Sequence, residues 1–180
     1  MSTIVVPIEP MRAEDWPAVR EIYIQGLATG QASFETEAPS WEQWDSARLP
    51  ACRLVARHSG GVIGWAALSP VSSRRVYQGV AEASVYVASR GRGKGIGLAL
   101  LQALIEAAEA AGIWTLEAKV FPENAASLVL CEKCGFRRVG VREKLGYHNG
   151  IWRDVVLLER RSADCRIIEA LSPDVPERTG

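Results

Sequence analysis

Residues 83–98 read ASVYVASRGRGKGIGL, and no other stretch limits the fold so tightly. Ala83 to Val87 is an apolar, β-branched strand signal. It runs into a loop with glycine at 91, 93, 95 and 97, with Arg92 and Lys94 set between them. A long helical pattern follows at once. A strand feeding a glycine-rich turn and a helix N-terminus is an anion-binding device. Glycine lets backbone N–H groups approach a phosphate, and the helix dipole favours negative charge there. The same turn without a ligand is the alternative. Register excludes two nucleotide loops. A P-loop requires a hydroxyl after its Gly-Lys, and Gly93-Lys94 is followed by Gly95. A dinucleotide fingerprint started at Gly91 or Gly93 ends on Ile96 or Leu98 instead of glycine. What remains is Arg92-x-x-Gly95-x-Gly97.

Composition narrows the partners. A chain of 180 residues fits one domain with a real core. Basic and acidic residues balance at 21 each, which gives no support for nucleic-acid or polybasic membrane binding. No run reaches the length of a membrane span, and the N-terminus lacks a signal-peptide pattern, so a soluble cytoplasmic protein is expected. The cysteines are Cys52, Cys131, Cys134 and Cys165. Cys131-x-x-Cys134 has no second Cys or His pair at zinc spacing, His58 and His148 stand apart, and no metal is expected.

The rest of the chain alternates strand and helix signals without repeats. Ile4 to Ile8 reads as a strand. Asp15 can cap a helix presenting Val19, Ile22, Tyr23 and Leu27. A loop over Gly26–Pro39 leads to the capping box Ser40-x-x-Gln43 and a helix with Trp41 and Trp44. Arg53–Ala56 and Val62–Leu68 form a hairpin about Ser59-Gly60-Gly61. The helix from Gly95 to about Ala111 carries Leu98, Leu101, Ile105 and Ala108 on one stripe and ends at Gly112. Trp114–Phe121 is a strand. Asn124 caps a helix that runs to Cys134 and stops at Gly135. Arg138–Lys144 and Trp152–Glu159 are the last strands, around His148-Asn149-Gly150. Hairpins followed by a strand–helix–strand–helix–strand unit give an α/β (α+β) domain with a mixed, mostly antiparallel sheet flanked by helices. Glu82–Val87 and Trp114–Phe121 should be parallel neighbours.

Several of these segments carry a resemblance. They are Phe34-x-Thr36-Glu37-x-Pro39, Arg74-x-x-Tyr77, Glu82-x-Ser84-Val85-Tyr86-Val87, Arg92-x-x-Gly95-x-Gly97, Asn124-x-x-Ser127, Lys133-x-Gly135-Phe136 and Gly150-x-Trp152-x-Asp154-Val155. In this order they resemble the GNAT N-acetyltransferases from about Ile8 to Arg160. Within that superfamily the match is to the phosphinothricin, arsinothricin and methionine sulfoximine N-acetyltransferases. The resemblance implies a single GNAT domain, taken as residues 1–162, and acetyl-CoA as cosubstrate; from Ser162 onward the pattern fades, and Pro173 and Pro176 point to a loosely attached tail over 163–180. The resemblance also implies a homodimer.

It implies roles as well. Arg92, Gly93, Lys94, Gly95, Ile96, Gly97 and Leu98 would hold the coenzyme A pyrophosphate. Val85, Tyr86 and Val87 would present backbone groups to pantetheine and thioester, in the manner of an oxyanion hole. Asn124, Ser127 and Lys133 would flank the same cofactor, and Asn124 could equally be a plain helix cap. Glu82 stands where the family's proposed base stands, to take the amine's proton; the alternative is a solvated or arginine-paired carboxylate. Arg74 and Arg75, read as an extended pair, would send only one side chain into the substrate pocket, Arg74 being favoured. Phe34 and Tyr77 are pocket walls or core aromatics. Cys131 replaces a tyrosine that serves many GNAT enzymes as general acid. A thiol could protonate a leaving thiolate, or Cys131 is inert packing and water donates.

The expected reaction is direct acetyl transfer to the α-amino group of a small amino-acid analogue, a resistance activity. A protein N-terminal or lysine acetyltransferase is the runner-up. A non-catalytic acyl-CoA sensor is a third reading, which the acid at Glu82 opposes.

Overall fold

The computed structural model describes residues 6–163. Residues 1–5 and 164–180, with the expected start of the first strand, most of the expected tail and Cys165, lie outside the described residues. Strand β1 (Ile8–Pro10) precedes α1 (Trp16–Leu27), α2 (Trp41–Ser46), β2 (Arg53–His58), β3 (Gly61–Pro70) and β4 (Val80–Val87). Then come α3 (Ile96–Ala110), β5 (Thr115–Val120), α4 (Ala125–Lys133), β6 (Arg137–His148) and β7 (Ile151–Arg161). The strands form one sheet in the order β1-β2-β3-β4-β5-β7-β6. Every neighbouring pair is antiparallel except β4–β5. This is the mixed α/β sheet expected from the sequence.

Local chemistry sets the boundaries. Ser40 and Gln43 exchange both bonds of the capping box, Gln43 N–H to Ser40 Oγ at 3.3 Å and Ser40 N–H to Gln43 Oε1 at 2.9 Å. Asn124 Oδ1 caps α4 by accepting from Ser127 N–H at 3.2 Å. Gly112 (φ 78°) and Gly135 (φ 82°) take the left-handed conformation that stops α3 and α4.

Three expectations need correction. The first strand is Ile8–Pro10. Asp15 does not cap α1 with its side chain; its carboxylate accepts from Arg12 N–H at 2.9 Å and from Arg57 Nη2 at 2.8 Å. Arg12 N–H and a long-range arginine, and not the N–H groups of α1, take up the carboxylate. Arg74 and Arg75 are not an extended pair, because Arg75–Tyr77 curls into a 3-10 turn, with Tyr77 N–H bonded to Arg74 C=O at 3.0 Å.

Two cores lie on opposite faces of the sheet. Leu100, Leu101, Leu104 and Ile105 of α3 pack on Ala66, Leu68, Ala81, Leu116 and Leu158. Val19, Ile22 and Tyr23 of α1, with Trp44 of α2, pack on Val55, Trp65 and Ala67. Strand alternation therefore turns Ala81, Ala83, Val85 and Val87 toward α3 and sends Glu82, Ser84 and Tyr86 toward α1 and α2.

Candidate active site

The parallel pairing of β4 and β5 covers only Val80↔Thr115, Ala81↔Leu116 and Glu82↔Glu117. Beyond Glu82 the strands part, because β4 heads for α3 and β5 for α4. Backbone groups of residues 83–87 on that side have no strand partner. The gap is the floor of a cleft of about 740 Å³ lined by Glu82 to Val87, Lys119 to Phe121, the 91–98 loop and the 29–35 loop.

At one end lies the N-terminus of α3. Gly95 occupies the cap position at φ 83°, and no side chain caps the helix. Gly93 (φ 74°) faces open space, so only a residue tolerant of positive φ can make this turn. Among the described residues, the N–H groups of residues 93–98 donate to no backbone or side-chain acceptor. A row of unpaired donors at a positive helix end fits a pyrophosphate. Arg92, Gly93, Gly95, Ile96, Gly97 and Leu98 all line the cleft there. The Arg92 side chain folds back, with Nε on Val87 C=O at 3.2 Å. Lys94 points away and donates to Arg90 C=O at 2.7 Å.

Glu82 stands where the strands separate. Its Oε2 accepts from Lys119 Nζ at 2.5 Å, and each side chain is about one-third exposed. Lys119 is the cation of the pair, in place of an arginine. Tyr86 lines the floor, its ring stacked on Trp65 at 4.6 Å and set edge-on to Tyr23 at 4.8 Å. Gly26 allows this, since a Cβ there would sit 2.6 Å from the Tyr86 ring. Burial raises the Tyr86 phenol above its ordinary value. Phe34 forms a wall, edge-on to Phe121 at 4.9 Å.

Asn124 and Ser127 border the gap, and Asn124 also holds the 29–35 loop through Nδ2 on Gln31 C=O at 3.2 Å. Cys131 lines the α4 side, 6% exposed, and burial followed by the charges of Cys134 and Glu132 pushes its thiol up to about 11. Lys133 is exposed at the end of α4, off the cleft. Arg74, Arg75 and Tyr77 are exposed on their turn and do not line it either; Arg74 lies over the Tyr77 ring at 5.8 Å. The structure thus gathers Phe34, Glu82, the 85–87 strand, most of the loop, Asn124, Ser127 and Cys131, and leaves the arginine pair outside. The cleft also contains Arg48, Lys119, Phe121 and Tyr23, which sequence reasoning missed. Lys119 had a signal, a charge in strand register with Glu117; Arg48 had none.

Among the described residues no helix is long and apolar enough to cross a membrane, and no cluster of His, Cys, Asp and Glu could hold a metal ion.

Residues 14–136 match the acetyltransferase (GNAT) family. The phosphinothricin N-acetyltransferase of Alcaligenes faecalis is 35% identical over 161 residues, 85% of this chain and 81% of its own. The L-methionine sulfoximine/L-methionine sulfone acetyltransferase of Pseudomonas aeruginosa is 37% identical over 134 residues, 74% and 73% of the two chains. Among solved structures, a phosphinothricin acetyltransferase from Sinorhizobium meliloti in complex with AcCoA aligns with TM-score 0.79 at 29% identity, covering 88% of this chain and 89% of that one. The ribosomal-protein-alanine N-acetyltransferase of Brucella melitensis aligns with TM-score 0.81 at 32% identity, covering 87% and 99%.

Proposed function

Because the chain belongs to the acetyltransferase (GNAT) family, we propose that it acetylates the α-amino group of a small amino acid of the phosphinothricin, arsinothricin or methionine sulfoximine type. It is an N-acetyltransferase, and acetyl-CoA is its cosubstrate. The observation that carries the reading is Glu82, placed where β4 and β5 part, at the head of a cleft that runs to the uncapped α3 N-terminus.

The chain's own groups divide the work. N–H groups of residues 93–98 bind the pyrophosphate, and the side of residues 83–87 that faces β5, left without a strand partner, aligns the pantetheine arm like an added strand. The bound cosubstrate supplies an activated acetyl group as a thioester. Glu82 takes the proton from the incoming ammonium, directly or through water, so that a neutral amine attacks. Transfer is direct, without an acyl-enzyme. Cys131 at about 11 is a weaker acid than an ordinary thiol near ~8.5, so proton donation from it would run uphill. This reading makes Cys131 packing and water the donor. Phe34 walls the amine side. Arg74, Arg75, Tyr77 and Lys133 do not line the cleft, and this reading gives them no part in it. The enzyme works as a homodimer in the cytoplasm, where its buried thiols stay reduced. Acetylation of a toxic amino-acid analogue would confer resistance.

A second reading keeps the chemistry and makes the amine a protein N-terminus; the likeness to the Brucella melitensis structure favours it. One screen separates the two. Thiol release from acetyl-CoA is followed with phosphinothricin, methionine sulfoximine, methionine sulfone and a set of peptides with free N-termini. Turnover of the amino acids alone is expected; turnover of peptides alone would overturn the proposal.

A further inference from the structure

Among the described residues, the cations that line the cleft are Arg48, Arg92 and Lys119. Arg92 lies at the α3 end, and Lys119 is engaged by Glu82. Among the described residues Arg48 has no carboxylate within ion-pair distance. It follows α2, lies over the Trp44 ring at 5.8 Å, and donates through Nη1 to Ser69 Oγ. Ser69 is the strand partner of Glu82 across β3 and β4. Directly opposed residues share a face, so the guanidinium is fixed on the Glu82 side of the sheet. Its Nε is buried and unpartnered, and among the described residues Nη2 donates no hydrogen bond. The other acidic side chain of the cleft, Glu35, does not bridge to it. Arg48 also acts on Tyr23, where burial raises the hydroxyl and the Arg48 charge opposes that rise.

An arginine anchored by a neutral hydroxyl and a tryptophan face keeps its charge and its Nη2 for an oxyanion. We propose that Arg48, and not the exposed Arg74 and Arg75, binds the anionic group of the amine substrate, a carboxylate or phosphinate. This rests on the amino-acid reading above. It makes Arg48 a specificity residue beside the base, holding the substrate by its charge while Glu82 handles the amine.

The test compares wild type with Arg48→Met, Arg48→Lys and Arg74→Met. The amines are phosphinothricin, methionine sulfone, which keeps the α-carboxylate but has a neutral side chain, and the α-carboxamide of methionine sulfone. Arg48→Met should raise the amine KM by about tenfold to hundredfold. KM for acetyl-CoA and kcat with the carboxamide should stay within about threefold, which shows an intact fold. Arg48→Lys should recover part of the loss. A rise confined to phosphinothricin assigns the contact to the side-chain anion; a rise for both acids assigns it to the α-carboxylate. An unchanged KM, an equal loss with all three amines, or the shift appearing in Arg74→Met instead would overturn the proposal. If wild type turns over none of these amines, the substrate reading fails on its own. Calorimetry of phosphinothricin on coenzyme A-loaded protein then decides for Arg48: binding lost in Arg48→Met upholds it, and binding absent or unchanged overturns it.

Discussion

Glu82 and Cys131 both line the cleft, in different surroundings. Glu82 is one-third exposed and bonded to Lys119, open to the cleft. Glu82→Gln should lower kcat/KM for the amine by about 10²- to 10⁴-fold. The residual rate should climb with pH as more amine becomes neutral unaided; full activity at neutral pH would remove Glu82 as the base. Cys131 is held neutral. A thiol whose folded pKa lies above its unfolded value stabilises the fold fully below about 8.5, and that contribution is lost as pH rises through about 11. The cost to stability is about 3 kcal/mol across that window. Unfolding temperature should therefore fall more steeply over this range in wild type than in Cys131→Ala. Parallel slopes would show that the thiol is not desolvated. Cys131→Ala should also keep kcat within about threefold, since water serves as donor.

At the scale of elements, the cleft depends on contacts between distant segments, and there the sequence was least informative. Helix ends were legible because cap chemistry is local: Ser40 with Gln43, Asn124 with Ser127, and Gly112 and Gly135 each act within one turn. Whether Asp15 caps or pairs with Arg57 is decided 42 residues away and left no local trace. The same holds for the 29–35 loop, pinned by Asn124, by Arg153 Nη1 on Gly30 C=O at 3.4 Å, and by Phe34 against β6. Gly146 makes that last contact: a Cβ there would lie 2.6 Å from Phe34 Cε1 and 2.8 Å from Cζ. Gly146→Ala should push the Phe34 ring out of the wall. The expected result is a raised amine KM, about tenfold, with KM for acetyl-CoA unchanged, because the α3 loop is untouched. Equal changes in both KM values would show that the hairpin does not act through Phe34.

Over the whole molecule, the two faces of the sheet explain both what the sequence revealed and what it hid. The α3 face is a continuous apolar pattern, so the cofactor half of the cleft, with the 91–98 loop at its end, was readable from periodicity and glycine spacing. The α1 and α2 face mixes tryptophans with scattered charges, and Lys119 meets Glu82, and Arg48 meets Ser69 on the strand beside it, only once three strands and a loop are assembled. The far edge carries a different signal. β6 is an edge strand whose first eight residues are exposed, and Val141, Tyr147 and Trp152 of the β6–β7 hairpin are more than half exposed. Among the described residues these side chains stay exposed. A long edge with exposed apolar and aromatic side chains either aggregates or pairs with a partner, and a twofold copy covers it symmetrically. Light scattering at micromolar concentration should give twice the chain mass of 19.6 kDa. The double variant Val141→Glu/Trp152→Glu should shift it to a monomer, since two buried carboxylates per subunit cannot be desolvated across the interface. A wild-type monomer would rule out the homodimer. A variant that stays dimeric would move the interface to another face.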